Sequence, residues 1–247
     1  MANERLRDAM MAAGVTTDHA ADRLGLDPKS VERWITTTRT PHARNRRALS
    51  ALVHQPESYL WPAAIPAARQ AEIAQSEIVA AFPHRGSVPS DLWDKLITDA
   101  SDRIDILVHA GQFLAERPGF VRTLAEKAGQ GVTIRIDFGD PEAEATERRS
   151  QEEGLGEGVL GARIRYGLVP YRALLEVPGV EFRFHAATLY NSIFRFDDQM
   201  IVNTHVYGVP GAHAPALHLR RLGAGDLFDT YSRSFVDVWS RSTPATW

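Results

Sequence analysis

The sequence predicts an α+β chain of two domains, an all-α domain at the N-terminus and a larger α/β domain after it. Three observations carry the prediction. Near the N-terminus the apolar residues recur at helical spacing only. From about residue 76 onward, apolar runs of strand length alternate with helix-like segments. The charge also changes sign along the chain: of a net charge of −3 over 247 residues, residues 1–54 carry +3 and the remainder −6. The expected boundaries are 1–55 for the helical domain, 56–75 for a linker and 76–247 for the α/β domain.

The helical domain is readable in register. In residues 16–53, Ala20, Ala21, Leu24, Leu26, Val31, Trp34 and Ile35 give two short helices an inner face each. Between them Gly25 suits a left-handed turn, Asp27 an N-cap and Pro28 the first helical position. That is a tight helix-turn-helix, with Ala21 where the helices cross and Val31 and Trp34 plugging the second helix into the core. The outward positions of the second helix, Lys29, Ser30, Glu32, Arg33 and Thr36, would face a DNA major groove. Lys29 and Arg33 can donate to guanine edges, and Glu32 can accept from cytosine. From Lys29 to Val53 six basic residues face a single acid, Glu32. Arg39, Arg44, Arg46 and Arg47 within that run suit phosphate neutralisation. The competing reading is a helical hairpin of any small bundle with solvated arginines.

In the joint, prolines 56, 62 and 66 bracket "SYLWP", and residues 67–75 have the pattern of a short helix. Tyr59, Leu60 and Trp61 are too apolar for a free linker. They either pin the helical domain against another surface or close its own core. Residues 76–82 read as a buried strand. After it come a helix "DLWDKLITDASD", a strand "RIDILVHA", a helix "GFVRTLAEKAGQ" and a strand "GVTIRIDFGD". A charged stretch over 141–154, a helix over 159–175, strands "VEFRFH", "LYNSIFRF", "QMIVNTH" and "ALHLRR", and a last helix from Asp226 complete the chain.

In such sheets ligands gather at the carboxyl ends of strands. The polar residues expected there are His109, Gln112, Asp137, Asp140, His185, Asn203, His205 and Arg220. "DFGD" lacks any accompanying phosphate loop and reads as strand then turn. His213 and His218 lack the spacing of a helical zinc pair and read as solvated loop histidines. Neither a metal nor a cofactor is expected. The chain has no cysteine, which excludes disulfides, thiolate metal sites and a cysteine nucleophile. No run of about 18 apolar residues could cross a bilayer, and "MANERLRDAM" is no signal peptide. The expectation is a cytoplasmic protein with no membrane partner.

Residues 189–198, "LYNSIFRFDD", raise a sharper question. Together with "IDILVHAGQFL" and "GVTIRIDFGDPE" they resemble the phospholipase D fold, a mixed sheet between helices. That family's motif is His, any residue, Lys, four more, then Asp, followed by a small pair. Here Asp197 matches the Asp, Ser192 falls at the Lys and Tyr190 at the His, with Thr204 and His205 at the small pair. The resemblance implies a histidine nucleophile that attacks phosphorus and a lysine that holds the phosphoryl oxygens. A tyrosine with a pKa near 10 and an uncharged serine do neither. A second register with His185 as nucleophile has no lysine at the required offset, although Arg195 could supply charge.

Over nearly its whole length the chain is similar to one group of actinobacterial regulators. They join a Cro- and repressor-type (XRE) helix-turn-helix to a degenerate phospholipase D-like domain through an "ESYLWP"-like joint. "WITTTRTP" departs from the usual form of the first, where an acid and a glycine follow the recognition helix. The resemblance implies a transcription regulator acting on double-stranded, palindromic DNA as a homodimer, and not an enzyme. A small, anionic effector is expected in the retained cleft, lined by Tyr190, Ser192, Arg195, Asn203, His205 and Arg220, with Asp140, Arg148, Arg163 and His185 in a second rank. Two alternatives stay open. Either the second domain serves dimerisation alone, or the chain is a phosphodiesterase or nuclease-like hydrolase with an atypical site.

Overall fold

A computed structural model of the chain describes residues 3–37, 39–64, 75–222 and 225–247. It divides into two compact units, one of residues 1–77 with 222–229 and one of residues 78–221 with 230–247.

In the first unit, residues 3–64 fold into the helices α1 (Glu4–Ala12), α2 (Thr17–Leu24), α3 (Pro28–Thr36), α4 (Ala43–Leu52) and α5 (Glu57–Leu60). Local chemistry sets their ends. Thr16 caps α2 by accepting from the His19 N–H, and Gly25 ends it in the left-handed region at φ 66°. Asp27 then accepts from the Lys29 N–H, with Pro28 at the first position of α3. Ala20, Ala21 and Val31 are fully buried, and Trp34, Leu49, Leu60 and Trp61 close the same core. Each such large apolar side chain contributes about 1.5–3 kcal/mol through burial. Leu60 and Trp61 thus belong to the helical core, so the start of the segment read as a linker is packed structure. The helix expected over 67–75 lies almost wholly outside the described residues.

The second unit is built on an eight-stranded mixed sheet in the order β1-β7-β6-β5-β2-β3-β4-β8. Its strands are β1 (Ile78–Phe82), β2 (Arg103–Val108), β3 (Thr133–Gly139), β4 (Val180–His185), β5 (Asn191–Phe196), β6 (Gln199–Thr204), β7 (Ala216–Arg220) and β8 (Thr243–Pro244). Strands β2, β3 and β4 run parallel, whereas β5, β6 and β7 alternate in direction. Side chains alternate between the two faces. Ile104, Ile106, Ile134, Ile136, Phe138 and Phe194 supply one face, and helices α6 (Ser90–Asp99), α8 (Phe120–Gly129) and α10 (Val159–Leu168) pack on it. Between these lie α7 (Gln112–Ala115) and α9 (Glu144–Glu152). On the other face, Arg135 and Arg183 lie against the rings of Phe235 and Trp239 in α11 (Leu227–Trp239).

Three readings of the sequence need correction here. Residues 76–82 do not form a buried strand: β1 is an edge strand, paired only with β7, and Ile78 and Val79 are exposed. The charged stretch over 141–154 contains a helix, α9, whose buried residues are Thr146, Arg149 and Ser150, so it has no apolar face to announce it. His218 is no loop histidine. It lies in β7, 5% exposed, with Nε2 3.0 Å from Gln199 Oε1.

Candidate functional site

Two sets of side chains could meet a partner, one in each unit. In the helical unit, Lys29, Glu32, Arg33 and Thr36 are exposed on α3 and Ser30 is half-buried, with Arg39 and Arg44 exposed beyond it. A groove of about 340 Å³ beside α3 is lined by Ser30, Arg33, Arg39, His42 and Asn45, among others. Arg46 does not join this surface. Its Nε donates to Glu57 Oε2 at 3.0 Å and its Nη1 to the Pro41 carbonyl. Glu57 is 6% exposed and requires a cation, which removes Arg46 from the phosphate-facing set. Arg47 keeps a largely exposed side chain and lies 3.7 Å from the same carboxylate.

In the sheet unit, strand direction decides which predicted residues meet. The carboxyl ends of β2 and β4 lie at the same edge as the beginning of β5 and the end of β6, because β5 is antiparallel to β2 and β6 to β5. At that edge a cleft of about 310 Å³ is lined by Arg85, His109, Gln112, Phe113, Glu153 and Arg163, with Ser192 and His205 on its floor. The turn after β2 closes one wall. There Gly111 sits at φ 62°, and a Cβ on it would lie 2.9 Å from the Phe138 ring, so only glycine fits.

Of the predicted lining, Ser192, His205 and Arg163 reach this cleft, and Asn203 lies beneath it against Gly211, one of the lining residues. The others do not. Tyr190 is 79% exposed and outside the lining. Arg195 and Arg220 lie at the opposite ends of their antiparallel strands, where the carboxyl-end rule for parallel strands does not apply. Register sets Arg195 and Arg135 on either side of Asp105, and both guanidiniums pair with that buried carboxylate. Asp140 accepts from the Glu142 N–H in its own turn, and Arg148 pairs with Glu144 one turn away on α9. Its neighbour Arg149 is the buried one, held by Glu153 and donating to the Val209 carbonyl. Asp137 is buried on β3, where Ser242 Oγ donates to it. His185 turns toward a separate groove of about 640 Å³ lined by α11 residues such as Arg233 and Asp237.

Asp197, the one residue that matches the phospholipase D motif, has a structural task. It sits in the β5–β6 turn at φ 51° and accepts from the N–H groups of Ser101, Asp102 and Arg103. Burial alone would raise its pKa, but these backbone donors hold it below the ordinary carboxylate value.

Three imidazoles form a row that runs from the cleft to the groove lined by α11. The His109 ring centroid lies 5.5 Å from that of His185 and 5.6 Å from that of His205. Burial pushes His185 and His205 down to about 4 and His109 well below the usual histidine value, with neighbouring rings and Arg149 adding to the shift of His109. All three are neutral at pH 7. His205 Nδ1 lies 3.1 Å from the Leu189 carbonyl, an acceptor, and so carries the proton. Its bare Nε2 accepts from Ser192 Oγ at 3.0 Å. Among the described residues no group of three or more His, Asp or Glu side chains is arranged to hold a metal ion.

Arg85 and Phe113, absent from the predicted set, dominate one wall. The Arg85 guanidinium carbon lies 3.9 Å from the Phe113 ring centroid. Burial lowers its pKa to about 10 against the pull of Glu153. No spacing rule in the sequence brings residue 85 to this cleft. The only cue is a lone arginine in the loop after β1.

Among the described residues no helix is long and apolar enough to cross a membrane. No curated protein sequence matches the chain. Among solved structures it is similar to TrmBL2, an archaeal chromatin protein whose structure is described as showing a novel mode of DNA binding. Identity is 10% and the TM-score 0.42 over 69% of this chain, which spans 55% of that one. It is also similar to Nuc, a phospholipase D family member from Salmonella typhimurium, with 15% identity and a TM-score of 0.38, covering 68% of this chain and 96% of that one. Residues 74–246 match the family described as "Domain of unknown function (DUF5919)". That match takes in the whole sheet and its cleft, and the chain belongs to the DUF5919 family.

Proposed function

We propose that the chain is a DNA-binding transcription regulator of the XRE type, with a catalytically degenerate, phospholipase D-like second domain that binds a small anionic effector. The observation that carries this reading is α3 itself. It is capped by Asp27 and Pro28, held to the core by Val31 and Trp34, and leaves Lys29, Glu32, Arg33 and Thr36 outward. Nine residues of helix with this polar face fit a major groove, and the exposed arginines beyond it suit phosphates. Homodimers reading a palindrome follow from that mode of docking.

The second domain supplies the effector site and no turnover. Ser192 and exposed Tyr190 occupy the positions of the phosphoryl-holding lysine and the nucleophile, and neither can take the role of the residue it replaces. Fragments recovered from genomic DNA by the purified chain test the reading. Arg33→Ala weakens capture of such a fragment by about 1–3 kcal/mol. Unchanged affinity counts against groove binding by α3.

One observation favours a second reading, that of a hydrolase. The Ser192 hydroxyl lies 3.0 Å from a neutral, proton-accepting His205 nitrogen, as a nucleophile and its base do. Turnover of a chromogenic phosphodiester or ester that is lost in Ser192→Ala would replace the regulator reading with this one.

A further inference from the structure

Three groups around one notch of the cleft have bonding capacity to spare: half-buried Arg85 and buried Asn203 and Ser192. The first is Arg85. Its guanidinium stacks on Phe113, and no acceptor among the described residues meets it through a hydrogen bond or ion pair. The second is Asn203, fully buried. Its amide nitrogen donates to the carbonyls of Ala214 and Pro215. Two carbonyl partners fix the orientation of the amide, and Oδ1 is left without a donor. The third is Ser192, 5% exposed, whose proton is given to His205 Nε2, so its oxygen offers lone pairs only.

Gly211 marks the notch. A Cβ placed on it would lie 3.4 Å from Asn203 Oδ1 and 3.5 Å from Arg85 Nη1, so the free donor and the free acceptor border the same small space. Leaving a buried acceptor such as Asn203 Oδ1 without a donor costs about 1–3 kcal/mol. An occupant of the notch that brings a donor removes that cost. An occupant must offer an anion to Arg85, where a planar carboxylate accepts two parallel N–H bonds. It must also bring donors to Asn203 and Ser192. Glu153 and Glu116 stand in the same lining and disfavour an anion that has acceptors alone. At about 310 Å³ the cleft has room for roughly ten non-hydrogen atoms, taking each as about the share of a water in the liquid.

We propose that the cleft recognises a small carboxylate that carries its own hydrogen-bond donors, hydroxyl or ammonium, with the carboxylate on Arg85 and the donors on Asn203 Oδ1 and Ser192 Oγ. This deepens the effector reading above and rests on it for its regulatory meaning, but not for its test. The experiment is thermal unfolding of the full chain with four probes on one five-carbon skeleton. D-ribonate has the carboxylate and hydroxyls, L-norvaline the carboxylate and an ammonium, pentanoate the carboxylate alone and ribitol the hydroxyls alone. Inorganic phosphate is the fifth probe.

Ribonate or norvaline at millimolar concentration raises the midpoint by about 4 °C, and pentanoate, ribitol and phosphate by less than about 1 °C. Which of the two acts assigns hydroxyl or ammonium donors. Arg85→Gln abolishes the shift. Gly211→Ala, which fills the notch at ordinary contact distance, abolishes it while every charged side chain is kept. Arg122→Gln, on an exposed pair with Glu126, retains it.

A response to pentanoate or phosphate equal to that of the donor-bearing acids overturns the proposal. So does a shift that survives both cleft variants, or no shift with any probe. A chain that captures DNA but responds to no probe sinks this inference alone, and a chain that responds but captures no DNA sinks the regulator reading alone.

Discussion

The helical unit offers its candidate residues outward from one nine-residue helix, whereas the sheet unit gathers its own inward from the loop after β1, the β2–α7 turn, two helices and the β5–β6 hairpin. The first arrangement costs little: long polar side chains on a helix face stay solvated and the core beneath is apolar. The second requires a half-buried arginine and buried histidine and asparagine to be held against their desolvation. A surface that reads a large polyanion can be exposed and local, while a pocket that selects a small molecule must be dry and assembled across the fold.

Acid should break this contrast most strongly. His185 and His205 have folded pKa values near 4 against about 6.5 unfolded, so the unfolded chain binds more protons between those limits. The contribution of these histidines to the sheet unit is full above about pH 6.5 and is lost as pH drops toward 4, by roughly 3 kcal/mol for each. Urea titrations at pH 7.5 and 4.5 measure it, and equal midpoints would contradict the buried imidazole row.

Next in size is Arg46→Ala, which leaves Glu57 buried with only the more distant Arg47. It should cost about 3 kcal/mol of stability, whereas Arg33→Ala costs nothing measurable in urea. Equal losses for the two would mean that the helical unit does not divide its arginines between core and surface.

Asp137→Asn should act in the opposite sense. The folded pKa of Asp137 is raised to about 6 by burial, so its charge opposes folding above that pH. The variant gains about 1–3 kcal/mol at pH 7.5, and the gain shrinks as pH falls through 6 and disappears below the unfolded value of about 3.9. A constant difference across pH would rule out the carboxyl as its cause. Smallest is Tyr190→Phe, which should change stability by less than about 0.5 kcal/mol and leave the ligand-induced thermal shift intact, because that ring lies outside the cleft.

How much could be read beforehand follows the same division. Ala21, Gly25, Asp27, Val31 and Trp34 take the places their spacing assigns, because two short helices and the turn between them are set by contacts within about twenty residues. Strand and helix alternation was legible too, except in α9, where Thr146, Arg149 and Ser150 stand where apolar residues would have signalled a face. The cleft was legible only in part. Ser192 and His205 could be found from the motif spacing, and His109 and Gln112 from the end of β2. Arg195 and Arg220 were misplaced because antiparallel strands send their carboxyl ends to the other edge. Arg46 looked like a phosphate contact because nothing local shows that Glu57 folds back onto it. Arg85 had no signal beyond a lone arginine in the loop after β1, since its membership of the cleft depends on the pairing of β1 with β7.

The central claim is that α3 reads DNA with its exposed face while neighbouring arginines of the helical unit divide between phosphate contact and core. Affinity for a captured genomic fragment, measured from 50 to 200 mM salt for wild type, Arg33→Ala and Arg44→Ala, tests it most directly. Binding should weaken steeply with salt. Arg44→Ala should lower the slope by about one and weaken all sequences alike, while Arg33→Ala should erase preference for the captured fragment. A salt-independent affinity, or a preference that survives Arg33→Ala, would contradict the account.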